Sequence, residues 1–163
     1  MNARTTATVA GPSATRMKAT AAALAARELA GRRVGTPGGA AARTWLTTAL
    51  TELDAVIDVD RFDTAAGSAA NLYGAVDPAA SGQADIWLTA HYDGVGDIDG
   101  RHRPGAADNA AGVAVVLEAA RHLKGRLPAA SACPCPCWTA RRSARSGRPG
   151  TPNGWPPKAG RHW

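Results

Sequence analysis

Up to Ala130 the chain has no cysteine: its three, Cys133, Cys135 and Cys137, all lie beyond that point. A disulfide framework is therefore not what holds the body of the protein together, and cysteine usage does not report a redox compartment. Aromatic residues are also scarce, with one Phe and two Tyr, and much of the 45% hydrophobic content is Ala, which buries little area. Long apolar runs are missing too; none approaches the roughly 18 residues of a membrane span. Lys18 and the Ala-rich stretch to Ala26 make a poor targeting segment, being weakly apolar and interrupted by Arg27 and Glu28. These absences predict a soluble protein, cytoplasmic by default, with no membrane partner. Finally, no Asp or Glu follows Glu118.

The charge is divided along the chain in the same way. The formal net charge is +6, yet residues 1–130 carry 13 Lys and Arg against 13 Asp and Glu, so the whole excess lies in residues 131–163. That segment also holds six of the eleven prolines and three of the five tryptophans. The composition predicts three parts: a polar, disordered leader over residues 1–16, with Met17 as an alternative start; a neutral folded body over 17–130; and a basic, Pro/Arg/Trp-rich disordered tail over 131–163.

Within the body the pattern reads α, α, β, β, β, α. Residues 17–31 favour helix by propensity and stop at Gly31. Thr36-Pro37 opens a second helix, with Trp45, Leu46, Ala49, Leu50 and Leu53 on one face. Ala55 to Phe62 alternates as a strand of ambiguous apolar face, and Asn71 to Val76 is a short strand near an edge, followed by the turn Asp77-Pro78. Ile86 to Ala90 is apolar with little alternation, as in a strand buried on both faces. Ala110 to Leu123 is the last helix, with Val113, Val116, Leu117 and Ala120 inward. No internal repeat is present. The pattern is that of the opening half of an α/β domain.

Residues 84–118, ADIWLTAHYDGVGDIDGRHRPGAADNAAGVAVVLE, carry the chemistry. His91-Tyr92-Asp93 follows the buried strand directly, so the imidazole can ligate a metal while the carboxylate two residues on, pointing the same way, orients it. Asp108 stands at the mouth of a helix after a turn at Gly105; it can cap that helix and turn its remaining oxygens to a cation. Either feature alone has a plain reading, since His-x-Asp occurs by chance and an Asp before an Ala-rich helix is commonly a cap. In this order, from a strand end and the next helix start, they converge where open α/β sheets hold their ligands.

HYDGVGD, PGAADNAAG and VAVVLEAARHL resemble the di-zinc aminopeptidases of the MH clan, which include leucyl aminopeptidases and glutamate-carboxypeptidase-like metallopeptidases. RRVGTPGGAAARTWLTTALTEL is similar to that family's entrance, an Arg, a Gly-Thr-Pro-Gly turn and a helix, and the likeness runs over about residues 20 to 127. The resemblance implies a three-layer α/β/α zinc-exopeptidase domain with a mixed sheet, represented here by its N-terminal part. It implies that His91 ligates one zinc, Asp108 bridges two, and Asp93 supports His91. It further implies hydrolysis of the N-terminal bond of a peptide substrate, with two close zincs activating a water and a glutamate as general base.

The chain departs from that pattern after Ala130. The family next supplies a strand ending in an Asp-Gly-Glu-Glu type motif, which holds the base and a ligand, then a further Asp and His; here no acidic residue follows Glu118. A catalytic zinc takes three protein ligands. His102, Glu118 and His122 are candidate substitutes, though a solvated loop and helix face account for them more simply.

The genetic code offers a reason for the break. If one nucleotide is missing near Ala130, each true downstream codon is the last base of one printed codon plus two bases of the next. Cys137-Trp138 then forces Leu, Trp138-Thr139 forces Asp, and Thr139 through Arg142 permits Gly-Glu-Glu. Ser143 to Thr151 permits Gly-Ala-Leu-Gly-Ser-Ala-Arg-His, the family's continuation. Residues from about 131 to 163 are thus expected to be out-of-frame translation of GC-rich DNA, and the chain to be an inactive fragment. The alternative is a small non-enzymatic binding protein that uses its basic tail on polyanions. Alternate cysteines locked by proline do not match a zinc clip, and the Arg/Trp run predicts only non-specific, salt-sensitive nucleic-acid contacts.

Overall fold

The computed structural model describes residues 11–76, 84–126, 131–132 and 134–139. Helix α1 spans Ala14–Leu24, a short 3-10 helix Arg27–Arg32, α2 Pro37–Thr51 and α3 Ala111–Leu123. The strands are β1 Val56–Thr64, β2 Gly67–Ala75, β3 Ala84–Asp85, β4 Thr89–His91, β5 Ser131–Ala132 and β6 Pro134–Thr139. The main sheet has the order β1-β2-β6-β4, antiparallel except for the parallel pair β4–β6, and β3 pairs in parallel with β5. This is the mixed-sheet α/β fold expected from the sequence.

Local chemistry sets the helix boundaries. Thr36 caps α2 through its hydroxyl, which accepts from the Gly39 N–H, and Pro37 supplies the first helical φ. Leu46, Ala49, Leu50 and Leu53 are buried, with Trp45 packed against them. In α3 the predicted inward face, Val113, Val116, Leu117 and Ala120, is buried as well. These two stripes meet Leu24, Leu72 and Tyr92 in one core.

Several boundaries move. The leader gives way to structure before residue 17: Ser13 caps α1, its side chain accepting from the Arg16 N–H, and residues 14–16 are helical. The helix expected over 17–31 stops at Leu24, because Ala26 takes extended backbone that an α-helix cannot continue, and Gly31 falls in the separate 3-10 segment. Ile86 to Ala90 is not one strand buried on both faces; β4 begins only at Thr89, residues 86–88 lie between β3 and β4 outside either strand, and Ile86 is exposed. The second strand is longer than predicted, Gly67–Ala75, and lies inside the sheet rather than near its edge. The turn Asp77-Pro78 falls outside the described residues.

The largest difference concerns the composition break at Ala130. The sheet continues past it, since Pro134–Thr139 fills the place between β2 and β4. Pro134 and Pro136 have no N–H to donate, but the strand still stands between two neighbours, whereas β2 and β4 left unjoined would each present open N–H and C=O rows. Residues 140–163, the rest of the predicted tail, lie outside the described residues.

Candidate metal centre

Strand β4 ends at His91, and alternation along the chain sorts the next residues to opposite sides. Tyr92 turns into the core, 2% exposed, and its hydroxyl donates to the Ala70 carbonyl of β2 at 2.9 Å. Burial pushes its phenol pKa up, so it remains a donor. His91 and Asp93 turn the other way, into a cavity of about 300 Å³ that Asp108 also lines.

His91 is held from one side and presented on the other. Its Nδ1 is 3.2 Å from the Asp93 carbonyl oxygen and 3.4 Å from Asp93 Oδ1, so a hydrogen on Nδ1 has acceptors within reach. Its Nε2 stands 3.0 Å from Oδ1 of Asp108. Asp93 is buried, while the Asp108 side chain is 65% exposed at the cavity mouth.

The loop into α3 explains why Asp108 is available. Gly105 takes φ +61, and a Cβ there would lie 2.7 Å from the Asp108 carbonyl oxygen and 2.8 Å from Arg32 Nη2. Glycine is what lets the chain turn so tightly. The Asp108–Asn109 peptide is cis. The expected helix cap is not Asp108: Asn109 Oδ1 accepts the Gly112 N–H at 3.2 Å. With Asn109 capping, the Asp108 carboxylate faces the imidazole instead.

The other candidates lie elsewhere. His102 Nδ1 is 2.9 Å from Asp97 Oδ1 in the loop, a hydrogen bond that lowers the Asp97 pKa. His122 accepts from Arg126 Nη1 at 2.8 Å. Glu118 is not on a solvated helix face, as the sequence suggested; it is 2% exposed and committed to α1. Its carboxylate accepts from Arg16 Nη2 at 2.5 Å, Arg16 Nε at 2.9 Å and the Ser13 N–H at 2.6 Å. Docking of α1 covers that face, which no periodicity within α3 could reveal.

The family resemblance marked an Arg before the Gly-Thr-Pro-Gly turn without separating Arg32 from Arg33; Arg32 is the one fully buried beneath the site. Its guanidinium donates to the carbonyls of Tyr92, Leu24, Pro104 and Gly105. Neighbouring arginines in a polar stretch carry no mark of which one turns inward.

The donor set tests whether a metal fits. Two ligands at about 2.0–2.2 Å from one zinc stand within about 4 Å of each other, as His91 Nε2 and Asp108 Oδ1 do. With the ring hydrogen on Nδ1 toward Asp93, Nε2 would turn its lone pair toward that point. Among the described residues, however, no group of three or more His, Cys, Asp or Glu is placed to hold a metal ion, and no glutamate lines the cavity. The residues fit half of a zinc site.

Residues 71–131 match peptidase family M28. That segment contains β4, the cis peptide, Asp108 and α3 in full. No curated protein matches the chain. Among solved structures, a leucine aminopeptidase precursor from Bacteroides thetaiotaomicron superposes with TM-score 0.64 at 21% identity, covering 86% of this chain and 52% of its own. A Zn-dependent exopeptidase from Parabacteroides distasonis gives 0.63 at 21% identity, covering 89% and 53%. Porphyromonas gingivalis glutaminyl cyclase gives 0.67 at 20% identity, covering 80% and 49%. The chain thus has the fold of the zinc exopeptidases and glutaminyl cyclases, and it spans about half the length of these structures. No helix among the described residues is long and apolar enough to cross a membrane.

Proposed function

We propose that this chain carries the first half of a zinc-dependent exopeptidase site, with His91 and Asp108 as metal ligands and Asp93 as the group that orients His91. The observation that carries this reading is the 3.0 Å approach of His91 Nε2 to Asp108 Oδ1, with Asp93 against the other ring nitrogen. A bound zinc supplies Lewis acidity, polarising a scissile carbonyl and acidifying a water. This chain's own residues bind and orient, but among those described none is placed to take a proton from that water. As printed, the protein is proposed to be inactive.

The register of the sheet supports the out-of-frame explanation. Cys137, Trp138 and Thr139 lie opposite Thr89, Ala90 and His91 in the parallel pair. The shifted codons for Leu and Asp therefore belong to the end of β6, and the first Glu follows at the same end of the sheet as His91. That is where a base for the half-site is needed.

Peptides are the proposed substrate class, with aminopeptidase action as the finer reading. Resequencing the DNA across the codons for Leu127 to Arg145, followed by expression of the restored frame, tests it. The restored protein should bind zinc and release amino acids from aminoacyl-p-nitroanilides, while the printed chain should not. Cyclisation of N-terminal glutaminyl peptides without hydrolysis would replace peptidase by cyclase. Codons for Ala140 and Arg141 that cannot spell Glu in the shifted frame would sink the frame explanation.

A further inference from the structure

Arg32 has no assigned role, and its surroundings are unusual for a cation. It is 0% exposed, and its four hydrogen bonds all go to backbone carbonyls: Nε to Tyr92 at 2.8 Å, Nη1 to Leu24 and to Pro104 at 2.7 Å, and Nη2 to Gly105 at 2.9 Å. Removing a guanidinium from water is costly unless its geometry returns that energy, and an apolar side chain would fill the same space more cheaply. The carbonyls it joins belong to the two segments that carry the half-site. Tyr92 sits between His91 and Asp93, and Pro104 and Gly105 are the turn that delivers Asp108.

The joint is reinforced on both sides. The Arg32 carbonyl accepts the Gly94 N–H at 3.1 Å, and the Gly105 carbonyl accepts both Arg32 Nη2 and the Ala110 N–H, the latter at 3.1 Å. Gly94 and Gly105 leave room for this: a Cβ at Gly94 would fall 2.3 Å from the Gly31 carbonyl, and one at Gly105 2.8 Å from Arg32 Nη2. The planar fork reaches carbonyls in different directions at once, which the three donors of a lysine on one flexible stem cannot do. Asp93 and Asp108 are close enough to act on the guanidinium's charge, so it also offsets two carboxylates drawn together.

We propose that Arg32 is the positioning residue of the half-site: its guanidinium clamps the β4 end to the Pro104-Gly105 turn and so sets the distance between His91 and Asp108. It touches neither substrate nor metal. Its metal readout rests on the half-site reading above, whereas its effect on the backbone does not.

The test uses the full chain, wild type and Arg32→Lys, with cobalt(II) as probe and amide hydrogen exchange as a second readout. In Arg32→Lys the Gly94 and Ala110 amides should exchange at least about tenfold faster, with the β1–β2 ladder unchanged. Cobalt affinity, read from its visible bands, should fall about 10–100-fold, as for loss of a group that orients metal ligands. Equal acceleration of every amide, or none at Ala110, overturns the proposal. Should Arg32→Lys not fold, the wild type decides alone. A clamp requires the Ala110 amide to exchange as slowly as the β1–β2 ladder, and exchange as fast as in the Ile98–Arg101 turn overturns it. A wild-type chain that takes up no cobalt counts against the half-site, and exchange then decides the clamp by itself.

Discussion

Thr139 of β6 stands directly opposite His91 of β4 in the parallel pair. This register joins the residues of the candidate metal centre to the stretch where the composition changes. It also means that β6 ends on the side of the sheet where His91, Asp93 and Asp108 are gathered.

The half-site makes the most direct prediction. His91→Ala and Asp108→Ala should each weaken zinc binding by the chain, and Asp93→Asn should do so by about 10–100-fold through loss of orientation. Asp108 is exposed enough that its substitution should leave stability within about 0.5 kcal/mol. Competition against a chromophoric chelator, beside a thermal melt, reads both; unchanged affinity in all three variants would rule out these ligands.

Glu118 should make stability depend on acid. The Arg16 side chain, its largest partner, together with the Ser13 N–H and the charge of Arg121, outweighs burial and holds its carboxyl at about 2, against an ordinary 4.5. Because the folded value is the lower one, the contribution is present above about pH 4.5 and is lost as pH falls from there toward 2. Urea midpoints measured across that range should fall for the wild type and be flatter for Glu118→Gln. At neutral pH Glu118→Gln should cost about 1–3 kcal/mol, since it weakens bonds to a buried charged acceptor.

Two glycines with similar φ should differ sharply. Gly35 has φ +77, and a Cβ there would lie 1.8 Å from the Ala66 carbonyl oxygen; Gly125 has φ +67, and a Cβ there would meet nothing within 4 Å among the described residues. Gly125→Ala should cost about 1–2 kcal/mol from backbone strain alone. Gly35→Ala should cost more than about 3 kcal/mol, because backbone must also move. Equal midpoints in denaturant would show that the loop carrying Gly35 does not pack on the Ala66-Gly67 turn.

Removing residues 131–163 deletes the strand between β2 and β4. The shortened chain should lose cooperative unfolding and bind a hydrophobic dye, since two strand edges and the core beside them open together. A sharp, wild-type-like transition in the shortened chain would mean that β6 contributes no pairing.

Much of this protein was legible in the order of its residues. Thr36-Pro37 marked a helix start, the stripes in α2 and α3 marked their buried faces, and His91, Asp93 and Asp108 were picked out by type and spacing. Those are local signals, written within a turn or a strand. The sequence also showed that no acidic residue remains after Glu118 to complete a zinc site. The tertiary structure decided what depends on distant partners. Asn109 rather than Asp108 caps α3, because the Gly105 turn brings Asp108 to His91. Glu118 is buried because α1, about a hundred residues earlier, docks on it. Arg32 lies beneath the site because four carbonyls from separate segments meet there, and Pro134–Thr139 joins the sheet because β2 and β4, far apart in sequence, leave a place between them that a local pattern cannot show.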